Sequence, residues 1–235
     1  MYLAADQEKR YPFQKSWRWH FVRLFDYFFD RFSGHFRKIS APTQVHRILV
    51  IRLDHIGDLI CSLPALSLLR KRFPEAVITV LTSETGEALL KNHRDVHRIL
   101  LFKRNWFSRG TRTSFSEWFR VVRALRKENF DIGFDLRGDI RNILLMVFAG
   151  VRYRVGYGIG GGSGLLHRTE AYDPSLHQVE LNAKLIEGRF IPKDELKPEI
   201  CLNAEESEWA SGQLKRMGLT KADFLISLHP EAGYP

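Results

Sequence analysis

The chain has 235 residues, 44% of them hydrophobic and 12% aromatic, enough apolar side chain to bury a substantial core. Its two cysteines, Cys61 and Cys201, belong to no Cys-x-x-Cys or Cys/His pair, which argues against a disulfide framework and a zinc site. No run approaches the roughly 18 apolar residues of a membrane-spanning helix, and charges interrupt any secretory signal. The composition therefore predicts a globular protein of the reducing cytoplasm.

The formal net charge of +9 is concentrated in two stretches. Residues 1–48 carry nine Lys or Arg against four acids, and residues 103–127 carry eight with Glu117 as the only acid. Basic patches attract phosphate-rich partners. Charge alone leaves nucleic acid, anionic lipid and a phosphorylated glycan open.

Residues 1–40 form a basic, aromatic N-terminal segment. Apolar side chains recur there at helical spacing: Trp17, Phe21, Leu24, Phe25, Phe28 and Phe32. This pattern predicts an amphipathic helix over 16–33 that ends near Gly34. Three roles are open for it: packing on the main domain, lying on an anionic membrane surface, and forming a nucleic-acid arm.

After Pro42 the pattern changes to short β-branched runs that alternate with helical segments. Strands are predicted over 47–52, 77–81, 98–102, 131–136, 153–156 and 224–228. Helices are predicted over 58–72, behind a Ser83 cap, behind a Ser114/Glu117 capping box, and over 139–149, 175–186 and 205–217, the last closed by Gly218. Such alternation requires parallel strand pairing with helices on both faces of the sheet. The predicted class is α/β, a doubly wound, Rossmann-like parallel sheet.

The most informative segment follows the first strand and therefore lies at the carboxyl edge of the sheet, where ligands bind. Gly57 allows close backbone approach there, and Asp58 begins a helix. Asp58 has two interpretations on these residues alone. It is either an ordinary N-cap or a functional carboxylate.

At this segment the chain resembles glycosyltransferase family nine, whose heptosyltransferases open with strand-Arg-x-x-x-x-Gly-Asp-x-x-x-x-x-Pro-x-Leu. The matching residues here are Arg52, Gly57, Asp58, Pro64 and Leu66. Five further blocks follow in the family's order, at 69–74, 130–138, 154–157, 177–179 and 228–233. The likeness covers about residues 46–235 and leaves the first 40 outside.

The resemblance implies a two-domain GT-B enzyme, with an acceptor-side domain over 46–220 and the start of a donor-binding domain over 221–235. It implies inverting transfer of a heptose or related sugar from a nucleotide-diphosphate donor, ADP-heptose in the family, to a lipopolysaccharide core or similar glycolipid. By position, Asp58 matches the proposed general base. We also expect the reading frame to continue past Pro235 for about 100–150 residues.

Other site residues are carried over in the same way. Expected acceptor contacts are Arg52, His55, Gly57, Arg137 and Arg141, although each charge taken singly is equally consistent with a solvated or locally paired side chain. Expected donor contacts are His229, Ala232 and Gly233. Glu231 departs from the family's usual glycine, which puts the donor contact in doubt.

The chain contains no Asp-x-Asp pair for a divalent ion. We therefore expect a metal-independent reaction without a cofactor, in which backbone N–H groups and a basic side chain meet the charge of the leaving group.

A glycine-rich segment over 156–164 contains a Gly-x-Gly-x-x-Gly match. It follows a late strand and no helix begins immediately after it, so it is a poor dinucleotide fingerprint. We expect a mobile loop over the acceptor cleft, with a plain flexible connector as the alternative.

Two functions from different classes thus remain. The first is a cytoplasmic glycosyltransferase, peripheral on the inner membrane through residues 16–33, whose partners are a nucleotide sugar and an anionic glycolipid rather than nucleic acid. The second is a non-catalytic binding module for an anionic glycolipid. An oxidoreductase is disfavoured, because residues 54–58 do not form a phosphate-binding loop.

Overall fold

A computed structural model describes residues 39–103, 114–220, 223–226 and 228. The N-terminal segment with its predicted helix over 16–33, and the predicted donor contacts His229, Ala232 and Gly233, lie outside these residues. The chain divides into two compact units, 1–200 and 201–235. Each unit is described by itself.

The first unit is built on a six-stranded sheet in which every pairing is parallel. Its strands are Arg47–Ile51 (β1), Val77–Thr82 (β2), Arg98–Leu101 (β3), Ile132–Asp135 (β4), Tyr153–Gly156 (β5) and Arg168–Thr169 (β6). The spatial order is β3-β2-β1-β4-β5-β6. This is the doubly wound order of Rossmann-like folds, so the predicted fold class is confirmed.

Strand β1 shows why the sequence forms a sheet that is buried on both faces. Its side chains alternate between two separate cores, with Ile48 and Val50 on one face and Leu49 and Ile51 on the other. All four are at most 1% exposed. A continuous apolar run is what a central parallel strand requires, because helices cover both of its faces.

Six helices belong to this unit within the described residues: Ile56–Ile60 (α1), Leu63–Arg72 (α2), Glu84–Leu90 (α3), Phe115–Lys127 (α4), Ile140–Phe148 (α5) and Gln178–Glu187 (α6). Helices α2 and α6 contribute side chains to one core. Helices α4 and α5 contribute to the other. No helix in the described part of the chain is long and apolar enough to cross a membrane.

The helix predicted over 58–72 is two helices. Pro64 is the second residue of α2, where its missing N–H is tolerated, but inside one long helix its ring would collide with the carbonyl four residues earlier. The junction is held by the Ser62 hydroxyl, which donates a 2.8 Å hydrogen bond to the Asp58 carbonyl.

Two predicted helix starts have different outcomes. Ser83 caps α3 and accepts a 3.3 Å hydrogen bond from the Gly86 N–H. Ser114 does precede α4, but its side chain makes no cap and Glu117 pairs with Arg120 instead of closing a box. The Glu117 carboxylate therefore binds the Arg120 guanidinium and not the backbone N–H of Ser114.

The second unit contains the helix Ala204–Arg216 (α7), which Asn203 and Glu206 cap reciprocally. Gly218 follows with φ +76°, as its predicted role in closing the helix requires. The strand predicted over 224–228 is absent from 224–226 and 228, whose large side chains are exposed. A strand needs a hydrogen-bonded neighbour, and no described residue pairs with this segment.

Candidate functional site

The candidate site lies where the strand order reverses. Strand β1 pairs with β2 on one side and with β4 on the other, so the loops that follow β1 and β4 leave the same edge in opposite directions. In an open α/β sheet this topological switch point is where ligands bind. The two loops, 52–55 and 136–139, carry Arg52, His55 and Arg137, while Gly57, Asp58 and Arg141 lie in the helices that follow them.

A buried ionic network joins these loops. The Arg52 guanidinium donates from Nη1 to the Leu136 carbonyl at 2.8 Å and approaches Asp54 with 3.1 Å between Nε and Oδ1. That second contact is ionic, since it lacks the alignment of a hydrogen bond. Arg137 donates from Nη1 to Asp54 Oδ2 at 2.7 Å. The side chains of Arg52 and Asp54 are only 2% and 3% exposed, so their charges must neutralise each other locally.

Asp58 lies at the solvent-facing end of this network. Its Oδ1 is 3.4 Å from Arg52 Nη2, and its side chain is 36% exposed. Among the described residues no hydrogen bond is donated to this carboxylate. The N-cap interpretation of Asp58 is wrong, because His55 occupies the N-cap and Asp58 is the third residue of α1.

His55 and Gly57 lie close to Asp58 in the chain. The His55 side chain makes no capping hydrogen bond, and both residues are exposed. A Cβ built on Gly57 would meet nothing within 4 Å. Open space therefore lies above the backbone next to the candidate base.

The Arg141 guanidinium forms a local ion pair, which is one of the two roles that the sequence left open for it. Its Nε and Nη2 contact the two carboxylate oxygens of Asp139 at 2.8 Å and 2.7 Å, and its N–H donates to the same residue. Asp139 is the N-cap of α5, so one carboxylate both starts this helix and holds the guanidinium. The Arg141 side chain is 41% exposed, and an acceptor contact through its outer face stays a prediction.

Asp135, at the end of β4, shapes the loop that carries Arg137. Its buried carboxylate accepts hydrogen bonds from the Arg137 N–H at 3.2 Å, the Asp139 N–H at 2.9 Å and Asn142 Nδ2 at 2.8 Å. Burial raises the pKa of Asp135 to about 7, and the Asp139 charge acts in the same direction against the three hydrogen bonds. Asp135 is not among the predicted site residues, although an acid at the end of a buried strand is a signal that the sequence offers.

The glycine-rich segment is not a mobile loop, and this prediction is wrong. Nearly all of 156–164 is buried, and Gly160 donates a 2.7 Å backbone hydrogen bond to the Gly138 carbonyl. A Cβ on Gly160 would lie 2.7 Å from that oxygen. The glycines here allow two backbones to touch, and the segment is a packed wall against the loop after β4.

Two of the sequence blocks that resemble family nine, 154–157 and 177–179, help to fix helix α6, which contacts the end of the helix that carries Asp58. His177 is the N-cap of α6, in a reciprocal box with Glu180, and the Tyr157 hydroxyl donates to the Leu181 carbonyl of the same helix at 2.5 Å. Asn182 Nδ2 donates to the Cys61 carbonyl at 2.9 Å. Helix α6 is thereby tied to the junction between α1 and α2.

Among the residues described, no group of three His, Cys, Asp or Glu side chains could hold a metal ion.

No protein-family model matches the chain, and no curated protein matches it. Solved structures do match. The glycosyltransferase of family nine from Veillonella parvula superposes with a TM-score of 0.66 at 20% identity, over 84% of this chain and 58% of that one. ADP-heptose lipopolysaccharide heptosyltransferase II of E. coli gives 0.59 at 22% identity, over 74% and 51%.

A third structure, the E. coli heptosyltransferase WaaC with ADP-2-deoxy-2-fluoro heptose, gives 0.50 at 19% identity, over 60% of this chain and 47% of that one. The chain thus spans about half the length of the structures it matches. These likenesses agree with the resemblance found in the sequence blocks. At such identities they establish the fold, which is that of the corresponding part of these glycosyltransferases.

Proposed function

We propose that this chain is the acceptor-side part of an inverting, metal-independent glycosyltransferase of family nine. It would transfer a heptose or a related sugar from a nucleotide-diphosphate donor to a lipopolysaccharide core or similar glycolipid. The observation that carries the proposal is the Asp58 carboxylate, partly exposed at the switch point and held beside the buried Arg52 guanidinium without a hydrogen bond.

The reaction assigns one role to each of these two side chains. The acceptor hydroxyl attacks the anomeric carbon of the donor, its proton passes to Asp58, and the nucleotide diphosphate leaves with the electron pair of the broken bond. A single displacement inverts the anomeric centre. Arg52, fixed by Asp54 and the Leu136 carbonyl, holds the Asp58 carboxylate in position.

An anionic acceptor fits the charges at the edge of the site. Arg137 remains 38% exposed although one of its nitrogens is bound to Asp54, so the guanidinium can also face a phosphate or carboxylate. His55, three residues before Asp58, is also exposed. The space above Gly57 would admit the sugar that carries the attacking hydroxyl.

The donor half of the proposal rests on the sequence and on one relative. The WaaC structure contains a fluorinated ADP-heptose. We infer a nucleotide sugar for this protein too, contacted by His229, Ala232 and Gly233 and needing no cofactor. Membrane contact through residues 16–33, and a place on the cytoplasmic face of the inner membrane, belong to the same proposal.

The test is a nucleotide-release assay on the full-length gene product. ADP-heptose and a heptose-deficient lipopolysaccharide acceptor should together release ADP, in the presence of EDTA, whereas either substrate alone should not. The anomeric configuration of the product, read by NMR, should be opposite to that of the donor. Binding of the acceptor without release from any nucleotide sugar would reassign the protein as a glycolipid-binding module.

A further inference from the structure

Helices α4 and α5 carry a cluster of aromatic side chains outside the candidate site. We call it the aromatic patch: Phe115, Trp118 and Phe119 on α4 and Phe148 at the end of α5. The Trp118 ring meets both Phe119 and Phe148 edge to face, with 5.1 Å between centroids in each case. Phe115, Phe119 and Phe148 are 84%, 63% and 51% exposed.

Trp118 packs against the core beneath α4, but the other rings of the aromatic patch are not needed to attach α4 to the sheet. Val121, Val122 and Leu125 already fill the core beneath the helix. Phe115 and Phe119 are one helical turn apart and extend the apolar surface outwards. Single exposed apolar residues are ordinary, but a contiguous group of large rings marks an interaction surface.

Cations border the aromatic patch on the same helix. Arg123, Arg126 and Lys127 are exposed, and none of them forms an ion pair with another described residue. The acids on or next to α4 pair with other cations. Glu117 pairs with Arg120. Glu128 pairs with Arg47 and Arg98. Because Arg123 follows Phe119 by one turn, rings and charges share one side of α4.

We propose that the aromatic patch and its three cations dock this domain on an anionic membrane surface. The rings would enter the boundary between headgroups and acyl chains while Arg123, Arg126 and Lys127 bind lipid phosphates, the arrangement of interfacial helices. This goes beyond sugar transfer and does not require it. It also differs from the contact predicted for residues 16–33, which lie elsewhere in the chain.

Two other occupants fit the surface less well. A second copy of the chain related by two-fold symmetry would bring the same three cations together. Single-stranded nucleic acid stacks its bases on free ring faces, and the edge-to-face contacts at Trp118 occupy part of the ring surface of Phe119 and Phe148. A bilayer accepts both the continuous apolar surface and the surrounding positive charge.

The experiment is vesicle flotation of the full chain, with vesicles of phosphatidylglycerol mixed into phosphatidylcholine and vesicles of phosphatidylcholine alone. Wild type should float with the anionic vesicles at low salt and less at high salt. Arg123→Gln with Arg126→Gln should weaken binding roughly 25-fold, about fivefold for each cation. Phe115→Ser with Phe119→Ser should also weaken it and should lower thermal stability only slightly, because both rings are mostly exposed and the loss is the edge-to-face contact of Phe119 with Trp118.

Matched controls lie elsewhere on the same unit. Phe190→Ser removes a ring that is 50% exposed, and Lys197→Gln removes an exposed cation, so neither should alter flotation. Residues 16–33 are identical in all variants, and differences therefore report the aromatic patch alone.

Several results would overturn the proposal. Wild type that ignores anionic vesicles, or patch variants that float like wild type, would remove the membrane role. A wild-type dimer that the Phe variants convert to monomer would make the surface a contact between copies. RNA binding that is lost in these variants while vesicle binding persists would assign it to nucleic acid. Nucleotide release with a detergent-solubilised acceptor is measured separately and should survive every patch substitution.

Discussion

Arg137 donates a 2.7 Å hydrogen bond from Nη1 to Asp54 Oδ2, although 83 residues separate the two in sequence. The contact joins the loop after β1 to the loop after β4 across the switch point. Asp54 also faces Arg52, whose guanidinium reaches on to Asp58. The position of the proposed base therefore depends on a carboxylate that does not itself reach the cleft.

Asp54→Asn should destabilise the fold by about 3–5 kcal/mol, because it leaves the Arg52 charge buried with only the more distant Asp58 to balance it. The unfolding free energy in urea is the measurement. Glu199→Gln is the matched control, since it breaks an ion pair with Arg94 in which both side chains are more than 60% exposed. That change should cost under about 1 kcal/mol. Similar losses in the two variants would contradict the buried network.

The sheet could be predicted from sequence because each central strand is a short apolar run between polar loops. Asp58 and Arg52 could be placed at the carboxyl edge for the same reason. The role of Asp54 could not, since its second partner, Arg137, becomes a neighbour only through the β1–β4 pairing. Local pattern gives the elements, whereas the contacts between loops depend on the order in which strands assemble.

The errors in the sequence interpretation have equally specific causes. The glycine-rich composition of 156–164 predicts a mobile loop. In the structure, however, the backbone of Gly160 contacts that of Gly138, and this contact leaves no room for a Cβ. The apolar spacing continues through Pro64, so the sequence pattern does not show the break between α1 and α2. In both cases the steric requirement of one residue, Gly160 or Pro64, decides the local structure, and the pattern of the surrounding residues does not show it.

Gly138→Ala and Gly150→Ala separate backbone strain from crowding. Both glycines have positive φ, +79° and +73°, which disfavours alanine by about 1–2 kcal/mol at either position. Only at Gly138 would the new Cβ also approach Ile159, at 2.7 Å from Cγ1, adding about 1–3 kcal/mol of overpacking. Urea unfolding should rank Gly138→Ala well below Gly150→Ala in stability. Equal losses of unfolding free energy in the two variants would mean that residues 156–164 move to accommodate the added methyl group.

Asp135 should make stability depend on pH in an unusual direction. Its pKa is raised from 3.8 to about 7 in the folded state, so folding favours the protonated acid. The resulting stabilisation is complete below about pH 4 and is lost as the pH rises through about 7. Between these values the wild type should lose unfolding free energy relative to Asp135→Asn, which cannot ionise.

Urea unfolding at a series of pH values gives this comparison. Asp173→Asn is the control, because hydrogen bonds from Ser175 hold the pKa of Asp173 below its ordinary value. Its contribution is lost only as the pH falls below about 4, so the difference from wild type should stay constant between pH 4 and pH 7. A constant difference for Asp135→Asn as well would show that its carboxyl group ionises normally.

Gly57→Ala tests the open space beside the proposed base. The added methyl would touch nothing within 4 Å and lies in a helix, so stability should hold or rise by about 0.5–1 kcal/mol. If the acceptor approaches this backbone, its KM should rise in the full-length enzyme while thermal stability does not fall. Gly212→Ala, equally uncrowded within α7, should bring the same helical gain and no change in KM. Unaltered kinetics in Gly57→Ala would place the acceptor elsewhere.

Asp58→Asn distinguishes a catalytic carboxylate from a structural one in the full-length enzyme. Asparagine keeps the shape of the side chain and cannot accept the proton, so kcat should fall by about 10²–10⁴-fold, the usual contribution of a general base. Stability should change little, because His55 rather than Asp58 is the N-cap and the contact with Arg52 is long, at 3.4 Å. Acceptor binding, measured by calorimetry, should persist.

Glu205→Gln is the control for removing an acid from the first turn of a helix, since Glu205 occupies that turn in α7. It should leave both kcat and thermal unfolding near wild type. If Asp58→Asn folds stably and turns over at the wild-type rate, Asp58 is not the base. The proton would then have to pass to another group at the switch point, and His55, exposed beside the cleft, is the next side chain to replace.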